Sequence, residues 1–124
     1  MPIDQASGAS MPSTLILACS GAADVGELAD RAARTLAKCG HGGMFCLAAV
    51  GGGIPDMIER AKHANTLLVI DGCDKDCGRL TLEAAGFTTF EHLRVTDCGF
   101  AKGQSPPAIQ NVVAVADRAA QKLA

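Results

Sequence analysis

Apolar residues along this chain come in two rhythms. The unbroken runs Thr14-Leu15-Ile16-Leu17-Ala18 and Thr66-Leu67-Leu68-Val69-Ile70 lack the alternation of a half-solvated strand. They predict strands buried on both faces of a parallel sheet. Elsewhere the apolar positions recur at helical spacing. Over residues 22–38, Val25, Leu28, Ala29, Ala32, Ala33 and Leu36 fall on one side, and Glu27, Asp30, Arg31, Arg34 and Lys38 on the other. This is an amphipathic helix, and Gly40 suits the left-handed position that ends it. Pro55 opens a helix with Met57, Ile58 and Ala61 inward. A helix over 77–85 stops at Gly86, and a strand over 88–95 places Phe90 and Leu93 in the core. A last helix over 108–123 turns Ile109, Val112, Val113, Val115 and Ala116 inward. Segment 44–50 admits two readings, one strand or a very short strand followed by a helical turn. The second is adopted because it puts Cys46 at a strand end, as Cys19 and Cys73 are.

Strands alternating with helices across short glycine-containing turns specify an α/β fold. The expectation is a single domain over residues 14–124, an open, mostly parallel sheet of about four strands with helices on both faces. Residues 1–13, rich in Ser, Pro, Gly and Ala and without periodicity, read as a flexible N-terminal tail.

Composition narrows the function classes. With 124 residues, 48% of them hydrophobic, the chain can bury one substantial core. A net charge of -2, no basic cluster, and the absence of Trp and Tyr argue against nucleic acid as a partner. The apolar run 15–19 is too short for a signal segment or a membrane span, so a soluble, cytoplasmic protein without a membrane partner is expected. In that compartment six cysteines stay reduced, which points to metal binding or thiol chemistry rather than disulfides.

Cys19, Cys73, Cys98 and, on the adopted reading, Cys46 all follow predicted strands. Ligands of open α/β sheets bind at the carboxyl ends of the strands, so these thiols converge on the functional edge. Cys73 and Cys77 are four residues apart, and on the first turn of a helix they would face the same way. Four thiolates at about 2.3 Å suit tetrahedral zinc, and Cys19 and Cys46 are the choice for the remaining two. Helix N-termini would favour their thiolate forms. Lys75, Arg79 and Lys102 are candidate cations for the resulting negative charge, while Asp71 and Asp74 read as turn and cap formers rather than ligands. Cys39, beside His41 at a helix end, reads as an ordinary cysteine; Cys98 could replace Cys46 or act as an exchangeable thiol. His63 reads as a helix end and His92 as a strand residue facing solvent.

Several enzyme motifs are excluded. A phosphatase-type cysteine needs an arginine six residues downstream, and Val25 holds that place after Cys19. No C-x-x-C, G-x-G-x-x-G or G-x-x-x-x-G-K-[ST] pattern is present. No catalytic residue is assigned, and whether the protein is an enzyme is left open.

The ordered set of Cys19-Ser20-Gly21-Ala22-Ala23-Asp24-Val25-Gly26, Met44-Phe45-Cys46-Leu47-Ala48, Val69-Ile70-Asp71-Gly72-Cys73 with Cys77, and Val95-Thr96-Asp97 resembles the DGC domain family. These are small proteins described as zinc-binding, named for Asp-Gly-Cys, and the resemblance covers nearly all of the chain after the tail. It implies a metal site of Cys19, Cys46, Cys73 and Cys77, with Cys39 and Cys98 outside the pattern. The expectation is a zinc protein in a structural or metal-handling role, with an iron-sulfur cluster a less favoured occupant of the same thiols. The alternative is a thiol-based redox or detoxification protein using the same cysteines. A weaker third reading is a module that binds a protein partner, of unknown identity, on the carboxyl edge.

Overall fold

The computed structural model describes residues 13–124. The tail reading of residues 1–13 thus lies, up to position 12, outside the described residues, whereas Ser13 accepts hydrogen bonds from the amides of Asn65 and Thr66. In order the elements are β1 (Thr14–Ala18), α1 (Asp24–Lys38), β2 (Gly43–Met44), α2 (Leu47–Gly51), α3 (Pro55–Lys62), β3 (Thr66–Asp71), α4 (Cys77–Ala84), β4 (Glu91–Arg94) and α5 (Ile109–Leu123). A 3-10 turn, Val95–Cys98, follows β4.

All four strands are parallel, in the order β2-β1-β3-β4. The central pair is in register from Thr14 opposite Thr66 to Ala18 opposite Ile70, and the Cys19 amide continues the ladder to the Ile70 carbonyl at 3.0 Å. Strand alternation explains why both central strands are apolar throughout. Ile16, Ala18, Leu68, Ile70 and Leu93 face α1 and α5, while Leu15, Leu17, Leu67 and Val69 pack with Phe45, Val50, Ala61, Leu82 and Phe87 on the opposite face. The sheet is therefore covered on both sides, as the two rhythms of the sequence require.

Three local expectations are corrected. The strand predicted over 88–95 is only Glu91–Arg94, because residues 87–90 approach as irregular chain and Val95 already belongs to the 3-10 turn. On α5, Val112, Val115 and Ala116 are buried as predicted, but Ile109 and Val113 are 67% and 44% exposed. A helix resting on one flat sheet buries only a stripe, and the i, i+3, i+4, i+7 set from Val112 to Ala119 fills it. Finally, Cys73 lies in the turn before α4 and only Cys77 begins the helix, so the two thiols do not share a helical face.

Strand order reverses between β1 and β3, since the chain leaves β1 for β2 on one side and returns to β3 on the other. Crevices form outside the carboxyl ends of the two strands at such a switch point. Cys19 directly follows β1, and Gly72-Cys73 directly follows β3.

Candidate metal centre at the switch point

The Asp71-Gly72-Cys73 sequence has one physical task per residue. Asp71, 1% exposed at the end of β3, reaches across the turn to α4 and accepts the amides of Gly78 on Oδ1 at 2.6 Å and Arg79 on Oδ2 at 3.0 Å. It thus satisfies helix N-terminal donors that no cap residue of α4 serves. Gly72 lets this turn press on the first turn of α1: a methyl group on it would stand 2.8 Å from the Gly26 nitrogen and the Val25 carbonyl carbon. Gly78 is equally constrained, because a methyl there would meet Val69 Cγ2 at 2.6 Å and Asp71 Oδ1 at 2.8 Å. Cys73 is then delivered, half-buried, to the edge of the same core that Cys19 packs against.

The Gly72 amide donates to Cys19 Sγ at 3.3 Å, tying the two turns together through a sulfur. Cys19, Cys46 and Cys77 line a single open cleft of about 560 Å³ at this edge. Cys46 enters it from the residue before α2 and Cys77 from the first residue of α4, and both are exposed. The same cleft is lined by a polar group in which Ser20 Oγ donates to Asp30 Oδ1 at 2.8 Å and Arg34 Nε to Asp30 Oδ2 at 3.0 Å. Lys102 brings its Nζ to 4.0 Å from Cys73 Sγ. Its loop is strapped to α1, with Asp24 accepting the amides of Gly103 and Ser105 at 2.9 Å and Arg31 donating to the Pro107 carbonyl at 2.8 Å. The Gly103 and Ser105 amides hold the Asp24 carboxyl below its ordinary value. Of the three cations considered for the thiols, Lys102 is the one with a sulfur partner. Arg79 is engaged by Asp76 at 3.0 Å and Glu83 at 2.9 Å.

Helix N-termini were expected to depress the thiol pKa values, and for Cys19 the balance runs the other way. Burial pushes its thiol up, and the nearby Asp71 and Cys77 add to this against the opposing Gly21 and Gly72 amides. Cys98 is also pushed up by burial, and its thiol donates to the Arg94 carbonyl at 3.4 Å. Cys39 is exposed at the end of α1.

No three of the thiol sulfurs lie within 4.8 Å of one another among the described residues; the cluster that meets that spacing lies beside them and was not anticipated. Among the described residues, Asp71, Asp76 and His92 offer ligand atoms that all lie within 4.8 Å of one another. His92, expected to face solvent, instead donates from Nε2 to Asp71 Oδ2 at 2.8 Å and stands 3.6 Å from Asp76 Oδ1. Asp76, 3% exposed, is held by a two-pronged fork from Arg94: Nε to Oδ1 at 2.7 Å and Nη2 to Oδ2 at 2.6 Å. Arg94, and then Arg79, keep its carboxyl well below the usual carboxylate range against the cost of burial. Asp76 thus meets two guanidiniums, while Asp71 meets two backbone amides and His92, so the oxygens of both carboxylates are already taken by N–H donors. A cation here would have to displace the arginines, so this is an ion-pair cluster. Its sequence signal was the alternation of β4: with Leu93 in the α1 and α5 core, His92 and Arg94 both point to the α4 side.

Asp76 has a left-handed backbone, φ 56° and ψ 41°, which costs an L-residue about 1 kcal/mol and persists where its surroundings hold it.

The DGC domain profile matches residues 15–123. Over 91 residues, 73% of this chain and 70% of the relative, the sequence is 33% identical to a Pseudomonas aeruginosa protein named anaerobic and virulence modulator AnvM. No solved structure matches the chain. No helix among the described residues is long and apolar enough to cross a membrane.

Proposed function

The chain belongs to the DGC domain family, and on that footing we propose that it is a metal-binding protein whose thiols Cys19, Cys46, Cys73 and Cys77 hold a soft cation, zinc, at the switch point of the sheet. The observation that carries this reading is the convergence of Cys19, Cys46 and Cys77 on one cleft, with Cys73 on the turn whose preceding amide bonds the Cys19 sulfur. The donor set suits the ion: thiolates favour zinc among available divalent metals. Lys102 beside Cys73 and the Gly72 amide on Cys19 both offset negative charge on sulfur. Bound zinc would supply a closed thiolate centre or a Lewis acid, according to whether all four thiols close on it.

A site in which Cys46 and Cys77 are exposed fits metal that is taken up and released rather than buried for good. The core on both faces of the sheet is complete without it. The naming of the Pseudomonas aeruginosa relative as a modulator is in keeping with a sensing or metal-handling role. This reading puts the protein in the cytoplasm, where free thiols persist. The test is elemental analysis of protein purified under reducing conditions. About one equivalent of zinc is expected, lost in Cys19→Ser and Cys73→Ser; fresh wild-type protein without metal overturns the proposal.

The redox alternative uses the same thiols. Burial, which pushes the Cys19 thiol up, counts against that residue as an attacking thiolate and leaves exposed Cys46 and Cys77 as the reactive pair. Disulfide mapping after mild oxidation separates the two readings, since a Cys46–Cys77 bridge that forms only in metal-free protein belongs to the metal site.

A further inference from the structure

Resting on the metal reading above, we propose that Arg94 is a positioning residue for the thiol site. Through Asp76 it fixes the segment that carries Cys73 and Cys77, so metal affinity depends on a guanidinium engaged with carboxylates rather than with sulfur.

Cys73 and Cys77 flank the turn between β3 and α4, and three kinds of restraint hold that turn. The Asp76 amide bonds the Cys73 carbonyl at 3.2 Å, and the Thr96 amide bonds the Gly72 carbonyl at 3.2 Å. Asp71 reaches over the turn to the first amides of α4. The third restraint is the fork of Arg94 on Asp76. Asp76 immediately precedes Cys77, and its left-handed backbone sets the direction in which the chain enters the helix. A non-glycine residue keeps such a conformation where its surroundings over-determine it. A two-pronged guanidinium contact fixes orientation as well as distance, which a single point charge does not.

Two arginines touch Asp76, and only one of them ties the turn to the sheet. Arg79 is three residues along the same helix and would move with it. Arg94 comes from β4, whose register with β3 runs to Asp71 opposite Arg94. His92, from the same strand, completes the frame by bonding Asp71. The thiol-bearing turn is thus braced against the neighbouring strand before any metal arrives. Such bracing reduces what must be ordered when the thiols close on an ion, the effect that residues behind metal ligands generally exert.

The experiment is zinc titration against a chromophoric chelator, with cobalt(II) absorption as a second readout, on the full chain and on Arg94→Met, Arg94→Lys and Val115→Ala. Arg94→Met is expected to weaken zinc about tenfold and to change the cobalt bands that report thiolate number and geometry. Arg94→Lys, which keeps the charge and loses the fork, is expected to fall between wild type and Arg94→Met, and carries the comparison if the methionine variant does not fold. Val115→Ala, on the buried face of α5, should lower thermal stability and leave both metal readouts unchanged. Wild-type affinity and spectrum in the Arg94 variants overturn the proposal, as does an equal loss in Val115→Ala. A wild-type chain that takes up neither ion removes the metal reading itself, an outcome distinct from either.

Discussion

The thiol cleft and the carboxylate cluster adjoin across one turn and are held in contrary ways. Asp71 and Asp76 are almost fully buried, and their oxygens are met by backbone amides, arginines or His92. Cys46 and Cys77 are exposed on an open cleft, and the thiol contacts seen are single bonds such as Gly72 N–H to Cys19. One region has completed its bonding within the protein, while the other keeps donor atoms available. A buried charge cluster with paired partners adds little net stability but punishes the removal of any one member. A set of thiols with spare valence adds little until something binds.

The contrast breaks most sharply at the cysteines. Cys73→Ser is expected to abolish stoichiometric zinc binding while leaving the circular dichroism of the fold intact, since Cys73 only packs, half-buried, on the edge of one core and serine is close to it in size. Loss of the fold along with the metal would show that the thiol edge is structural, and the contrast would fail. Next comes Asp76→Ala, which leaves Arg94 without its main partner. It should destabilise the protein by about 3 kcal/mol, read as a fall in Tm of roughly 10 °C. An unchanged Tm would mean that the cluster is not the braced region described.

The pH dependence sharpens the same division. The folded Asp76 carboxyl lies below its unfolded value of about 3.9, so its contribution is fully present above that pH and is lost as pH falls toward the folded pKa. Thermal unfolding of wild type should therefore move to lower temperature below about pH 4, and Asp76→Ala should show a shallower fall over that window. The smallest effect is expected at the cleft margin. Lys102→Met removes an exposed charge 4.0 Å from Cys73 and should weaken zinc only about twofold to fivefold, measured by chelator competition. A loss as large as that of Cys73→Ser would make Lys102 part of the site.

Much of this was legible along the chain because it depends on local pattern. Unbroken apolar runs marked β1 and β3, the helical spacing of Val25 to Leu36 marked α1, and the glycines at 40 and 86 sit with φ values of +86° and +96° where helices end. The short β2 with a helical turn after Cys46 is one of two readings the run 44–50 allows, favoured because it puts Cys46 at a strand end, and the structure has it, with β2 at Gly43–Met44 and α2 from Leu47. Ile109 and Val113 misled for a physical reason: hydrophobicity states what a residue prefers, whereas the width of the sheet decides how many positions of α5 can be covered. His92 misled because a polar residue in a short strand usually faces water, and its two aspartate partners come from another part of the chain.

By itself the sequence determined the alternation of strands and helices, the parallel sheet, and the delivery of cysteines to its carboxyl edge, since periodicity and turn chemistry are properties of neighbouring residues. Only the tertiary structure decided which polar groups meet. Arg94 lies 18 residues from Asp76, and Gly72 lies 53 residues from Cys19. Contacts of that span depend on strand order, and the order β2-β1-β3-β4 places both thiol-bearing turns at the point where the sheet changes direction.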